Sequence, residues 1–164
     1  MIRKILLTVG TQLPFDRLVT ALDGWASGHQ MVEITAQIGN GQPPSGMNWQ
    51  RFIPASDFQT EFEAAEVVVA HSGMGTILTC LDLGKPLIIM PRLASLGEHR
   101  NDHQLATARQ FEHFSQVHVV NDSREMESAL DEIGRGHQED SFFGGASPEL
   151  LSEIRHFVIG GQRL

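Results

Sequence analysis

Val67-Val68-Val69-Ala70-His71-Ser72-Gly73-Met74-Gly75-Thr76-Ile77-Leu78-Thr79-Cys80-Leu81-Asp82-Leu83-Gly84-Lys85-Pro86 is the stretch that decides the fold. Its first four residues are apolar and mostly β-branched, the pattern of a strand buried on both faces of a parallel sheet. The run breaks at His71 into Ser72-Gly73-Met74-Gly75-Thr76. Met74, Ile77, Leu78 and Leu81 then carry helical spacing up to Gly84. Gly84 suits the position just past a helix C-terminus, and Pro86 forbids further helix. Strand, glycine-rich turn and helix is the arrangement in which unpaired backbone N–H groups face an anion. Gly73 and Gly75 allow close backbone approach, Thr76 adds a hydroxyl donor, and His71 can donate a hydrogen bond or carry charge. The turn is built for a phosphate. The plainer alternative is a buried strand followed by an ordinary glycine turn, with His71 bonded to a neighbour.

The remainder of the chain repeats the same alternation. Lys4 to Val9 reads as a buried strand ending at Gly10-Thr11-Gln12. After Pro14, a helix follows on Phe15, Leu18, Val19, Leu22 and Trp25. Met31 to Gln37 and Trp49 to Ile53 are further strands, separated by the loop Ile38 to Gly46. Ser56 or Asp57 caps a helix carrying Phe58, Phe62 and Ala65. Leu87 to Met90 is a strand, Asn101 to Phe111 a helix and Val117 to Val120 the last strand. Asp122 or Ser123 caps a helix that ends at Gly134, and Ser147-Pro148 starts a terminal helix over about residues 147–159. Strands alternating with helices mean βαβ units. The expectation is a single α/β domain over residues 1–164, doubly wound around a parallel sheet in Rossmann-like fashion. Ligands of such sheets bind beyond the C-terminal strand ends, at the switch point.

Composition narrows the function. The 164 residues carry 12 Lys and Arg against 20 Asp and Glu, a net charge of −8. That balance argues against sequence-independent nucleic-acid binding, which needs a basic face, and against simple adsorption to anionic lipid. Cys80 is the only cysteine, so no internal disulfide can form, and a reducing compartment is expected. Ile5-Leu6-Leu7 is far shorter than the apolar core of an export signal. A cytoplasmic domain is the expectation. A dinucleotide fingerprint is not satisfied: Gly10-Thr11-Gln12-Leu13-Pro14 lacks the later glycines, and Gln37 stands where an acid would bind ribose.

Val9-Gly10-Thr11, Phe15-Asp16, Gln37-Ile38-Gly39, His71 to Thr76, Gly84-Lys85-Pro86-Leu87-Ile88 and His103-Gln104 occur in that order. The ordered set resembles the C-terminal, donor-binding domain of glycosyltransferase family 28. Within it, the likeness is to the small subunits of two-component enzymes, and Pro91 to Gln104 resembles the bacterial exopolysaccharide or capsule branch. The resemblance covers most of the chain up to about Val120. It implies the C-terminal half of a GT-B fold and a UDP-sugar as donor substrate. A membrane-anchored partner subunit would bind the lipid-linked saccharide acceptor and supply the general base, in exopolysaccharide or capsule precursor synthesis. No nucleic acid and no separate cofactor are expected, and the subunit would sit peripherally at the inner face of the plasma membrane through its partner. It also implies inversion at the sugar and metal-independent transfer, consistent with the lack of an Asp-x-Asp motif.

The residue roles carry over position by position. His71, Gly73 and Thr76, with Ser72 and Gly75 of the same turn, would hold the donor diphosphate, joined by Gly10 and Thr11. His103 and Gln104 would approach the phosphate and the sugar hydroxyls. The uracil would lie near Ile38, Gly39 and Phe52-Ile53. The family has a glutamate three residues after the Ser/Thr, where it holds the ribose; here Thr79 stands there, and Glu98 is the expected substitute. His71, His103 and Gln104 are the catalytic candidates. The second function class is a nucleotide-sugar-binding sensor or regulatory module that transfers nothing.

Other residues have ordinary readings. His99 and His103 are four apart, but the zincin order His-Glu-x-x-His is missing, and no metal site is expected. His29, His113, His118, His137 and His156 read as solvent-facing or locally bonded, and Cys80 as a small buried hydrophobe. Ser72 does not complete Gly-x-Ser-x-Gly, so no hydrolase elbow is formed. Arg92, Arg100 and Arg109 read as surface charges; alternatively Arg92 or Arg100 reads a donor carboxylate. The terminal helix, or Phe142-Phe143-Gly144-Gly145 before it, is expected to contact the partner subunit.

Overall fold

The computed structural model describes residues 1–136. The expected helix at 147–159, the Phe142–Gly145 loop, His137 and His156 lie outside them. The elements run β1 (Lys4–Thr8), α1 (Asp16–Ala26), β2 (Glu33–Gln37), β3 (Asn48–Gln50), α2 (Ala55–Ala64), β4 (Val67–His71), α3 (Met74–Asp82), β5 (Leu87–Met90), α4 (His103–Phe111), β6 (Val117–Val119) and α5 (Ser123–Gly136). All six strands are parallel, in the order β3-β2-β1-β4-β5-β6. The described residues therefore form the doubly wound α/β unit that the alternation predicts.

Strand residues alternate between two cores, as a period of two requires. Ile5, Leu7, Val67, Val69, Ile88 and Met90 pack with α1 and α5. Leu6, Val68, Ala70, Leu87 and Ile89 pack with α2, α3 and α4 on the other face. Because β1 and β4 are adjacent while their connections leave to opposite sides, the sheet has its switch point between them. Thr8 pairs with Ala70 there, and the turns that follow open side by side.

Several boundaries differ from the sequence reading, each for a local reason. β3 stops at Gln50, before Phe52 and Ile53, because the Ile53 N–H donates to the Gln37 side chain at 2.9 Å instead of to a neighbouring strand. α2 begins directly after Pro54, with Phe58 N–H donating to the Pro54 carbonyl at 2.8 Å, so neither Ser56 nor Asp57 caps it. α4 begins at His103 rather than Asn101, since Asp102 is turned to accept from Ala94 N–H at 2.9 Å. α5 is capped by Asp122, which accepts from Glu125 N–H, and it continues through Gly134 to Gly136. The amino terminus donates to the Gly134 carbonyl at 3.2 Å, so that glycine serves packing rather than termination.

Candidate functional site

A cleft of about 560 Å³ opens at the switch point, between the turns that follow β1 and β4. α3 supplies its floor. Gly73 is the N-cap in extended backbone, and the first intrahelical bond runs from Ile77 N–H to the Gly73 carbonyl at 3.2 Å. Met74, Gly75 and Thr76 therefore keep N–H groups without intrahelical acceptors, at the positive end of the helix dipole. No acidic residue occupies the first turn to neutralise that end.

His71 stands at the head of this helix, and its ring explains two of the glycines. A Cβ on Gly10 would come within 2.7 Å of Cε1, and one on Gly73 would meet Nε2 more closely still. Gly10 also has φ +80°, which a side chain would strain. The sequence reading gave Gly73 the task of admitting a phosphate; the structure gives Gly10 and Gly73 the task of admitting an imidazole. Gly75 is the open one, with nothing within 4 Å of a Cβ placed there.

The His71 ring is held neutral. Burial, then the Arg92 and His99 charges, lower its pKa to about 4, with the Thr8 carbonyl acting the other way. Its Nδ1 is buried without a hydrogen-bond partner. A neutral imidazole between a helix N-terminus and a guanidinium can donate one hydrogen bond to an anion without bringing a second charge.

The structure brings Gly10, Thr11, His71, Gly73, Gly75, Thr76 and Gln104 together on the cleft wall. The other candidates stand elsewhere. Ile38 is fully buried in the core under α1, and Gly39, at φ +56°, packs near Val9. Phe52 is about half exposed outside the cleft, and its neighbour Ile53 lines the wall instead. Ser72 is buried, with an Oγ that has no partner. His103 is exposed on the first turn of α4, while His99 takes the place on the wall.

Glu98 is committed to another task and does not line the cleft. Arg17 grips both its oxygens, Nε to Oε1 and Nη2 to Oε2, each at 2.8 Å, and Leu93 N–H donates to Oε2 at 2.8 Å. Burial would raise its pKa, but these bonds and the charges of Arg17 and Arg92 hold it below the usual carboxylate range. It is a strut of the β5–α4 loop rather than a ribose ligand. The Thr79 hydroxyl donates to the Gly75 carbonyl within α3 at 2.8 Å.

Of two further wall residues, the sequence reading gave Gln37 no place in the site and took Arg92 for a surface charge or a reader of a donor carboxylate. Gln37 is buried, with Nε2 donating to Thr8 Oγ1 and the Gly10 carbonyl while Oε1 accepts from Ile53 N–H. Its place at a strand's C-terminal end was the available signal. Arg92 is no surface charge: only 2% of it is exposed, and its guanidinium is bonded to backbone carbonyls of the β1–α1 turn. Its position directly after β5 and Pro91 was the signal. Cys80 is buried as expected, its thiol pushed up to about 12 by burial. Among the described residues no group of three His, Cys, Asp or Glu side chains could hold a metal ion. None of their helices is long and apolar enough to cross a membrane.

The charge of the wall is its most telling property. Among the described residues Arg92, His71 and His99 line it and no Asp or Glu does, in a chain whose net charge is −8. A family model for the glycosyltransferase family 28 C-terminal domain matches residues 4–139. The chain belongs to that family. It is 33% identical over 60 residues to the UDP-N-acetylglucosamine transferase subunit ALG13 of Candida albicans, spanning 37% of this chain and 19% of that protein. It is 29% identical over 132 residues to a UDP-N-acetylglucosamine–N-acetylmuramyl-(pentapeptide) pyrophosphoryl-undecaprenol N-acetylglucosamine transferase of Solibacter usitatus. That match spans 73% of this chain and 35% of the relative. The chain thus spans well under two thirds of either relative. In fold it is similar to the NMR solution structure of ALG13, with a TM-score of 0.59 at 18% identity, covering 96% of each chain. The expected C-terminal half of a GT-B glycosyltransferase is the architecture observed.

Proposed function

We propose that this chain is the donor-binding half of a two-part glycosyltransferase that draws its sugar from a UDP-sugar. The observation that carries the reading is the carboxylate-free wall around the head of α3, in an otherwise acidic family 28 domain. The diphosphate lies over the N–H groups of Gly75 and Thr76, with the neutral His71 donating from the β4 side. As the glycosidic bond breaks, charge grows on the leaving UDP. Fixed donors and a helix N-terminus stabilise that charge without reorganising, commonly the largest single contribution in such sites. Gln104 and His99 face the sugar end, and Ile53 and Phe58 offer apolar contact to the base. Transfer is metal-independent and inverts the sugar, with the general base on the acceptor-binding partner.

The partner is membrane-anchored and presents a lipid-linked saccharide at the cytoplasmic face, in exopolysaccharide or capsule precursor synthesis. The description of the Candida albicans relative as a subunit supports a divided enzyme. A second reading, a nucleotide-binding module without transfer, draws support from Thr79 and Glu98, which leave the ribose no carboxylate on the wall.

Calorimetric titration with UDP, ADP and GDP tests the proposal. Selective UDP binding, weakened by His71→Ala about tenfold to a hundredfold, as expected for one hydrogen bond to a charged group, supports it. Equal affinity for all three, or none, overturns it. Transfer that vanishes with chelator and returns with manganese, once the partner is supplied, would remove metal independence.

A further inference from the structure

The β1–α1 turn faces the anion cleft, yet a turn carries carbonyl oxygens as well as N–H groups, and a bare carbonyl repels an anion. In residues 9–14 four carbonyls are occupied from inside the protein. Arg92 Nη2 donates to Val9 and Leu13, both at 2.8 Å, and Nη1 donates to Pro14 at 2.6 Å. Gln37 Nε2 takes the Gly10 carbonyl at 3.2 Å. The guanidinium lies over the Phe15 ring, Cζ 4.7 Å from its centroid, and Arg92 itself lines the cleft. A planar fork with several donors can gather three carbonyls at once; an ammonium cannot hold that geometry.

We propose that Arg92 is the positioning residue of the donor site: it draws the carbonyls of the β1–α1 turn inward and so leaves an anion-facing wall. This rests on the donor-site reading above but concerns a residue to which that reading gives no ligand contact. The loop carrying Arg92 is itself braced, since Arg17 binds the Pro91 carbonyl and Glu98, and Glu98 accepts from Leu93 N–H. Burial of the arginine in this position also sets the charge felt by His71. Arg92 and His99, from the β5–α4 loop, are the groups that act on that ring. The β1–α1 turn and the head of α3 face it with Thr8, Gly10, Gly73, Gly75 and Thr76, which do not titrate.

Arg92→Lys and Arg92→Met separate geometry from charge. The full chain is titrated with UDP, and the His71 ring and the Gly10 and Thr11 amides are followed by NMR across pH. Arg92→Lys keeps the charge but loses the fork. UDP binding is expected to weaken at least tenfold and the two amide resonances to move, with the His71 midpoint near its original value. In Arg92→Met the His71 midpoint rises toward the ordinary imidazole range as well. Leu130→Ala, on the buried face of α5, serves as the control for lost stability and keeps its UDP affinity. Arg92→Lys binding UDP within twofold of the unaltered chain, with unmoved amides, overturns the proposal. If the unaltered chain binds no UDP, the donor reading fails by itself. The amide shifts in Arg92→Lys and the His71 midpoint in Arg92→Met then decide the role of Arg92 without a nucleotide.

Discussion

The two ends of the sheet treat charge in opposite ways. At the N-terminal strand ends, acids and bases meet at the surface in pairs. Lys4 Nζ lies 2.9 Å from Glu33 and 3.1 Å from Glu61, and Arg3 Nη2 lies 2.7 Å from Glu66. At the C-terminal ends of the same strands the described residues give the cleft a buried guanidinium, two imidazoles and no carboxylate. The lower contacts hold strand starts and α2 together, and with two bases against three acids they leave a net negative charge there. The upper end spends its polar groups on shaping backbone, and a net attraction for anions remains. One sheet thus has a sealed end and a receptive end, and the difference lies in where the acids were placed.

The largest effect expected at the receptive end is on pH. The His71 pKa is about 4 in the fold, against about 6.5 for an unfolded imidazole. Between those values the unfolded chain binds a proton that the native chain does not, so stability rises with pH through that window. Acidification from pH 6.5 to 4 should remove about 3 kcal/mol, and acidification below 4 nothing more from this group. Denaturant titrations at pH 7, 5.5 and 4 on the unaltered chain and on His71→Gln measure it. An equal slope in both proteins would place the charge penalty elsewhere and dissolve the contrast between the two ends.

The glycines sharpen the same contrast. Gly73→Ala drives a methyl group into the His71 ring, and displacing a positioned group by about 1 Å commonly costs about a hundredfold. UDP affinity should fall by that order. Gly75→Ala meets no atom within 4 Å and adds about 0.5 kcal/mol of stability through the less flexible unfolded chain. In the proposed binding mode its methyl group nevertheless stands where the diphosphate approaches. Weakened UDP binding in a stabilised protein is the expected result, read by calorimetry beside thermal melts. If Gly73→Ala keeps its affinity, the ring is not a ligand.

The fold was legible because its signals are local. Val67 to Ala70 and Leu87 to Met90 are apolar on both faces, which only a covered parallel strand requires, and Gly84 and Pro86 end α3 where the pattern stops. The heads of α3 and α1 were legible as a site for the same reason. Arg92, Gln37 and Glu98 were not, because their partners lie far away in sequence. Arg92 meets Val9, Leu13 and Pro14, and Glu98 meets Arg17, contacts that no spacing rule announces. His99 and His103 were exchanged because Asp102 turns toward Ala94 and starts α4 two residues late. Phe52 and Ile53 were exchanged because Gln37 captures the Ile53 N–H. Side-chain bonds to backbone decided the details of the wall, and these carry little sequence signature.

The smallest effects come from cutting ion pairs, and their ranking tests whether the two ends really differ. Glu98→Gln leaves Arg17 without its two-pronged partner in a largely covered position, the Arg17 and Glu98 side chains being 22% and 13% exposed. A loss of about 2 kcal/mol is expected, since a charge-assisted bidentate pair is broken there. UDP affinity should drop only as far as the β5–α4 loop lets Arg92 drift. Arg3→Ala removes a pair whose arginine is 84% exposed, and such pairs contribute about 0.5 kcal/mol. High salt should erase that small difference but not the Glu98→Gln one, because solvent screens the exposed pair and hardly reaches the covered one. Equal losses in chemical denaturation, equally sensitive to salt, would mean that the brace behind Arg92 is only another surface pair and that the receptive end is held by its backbone alone.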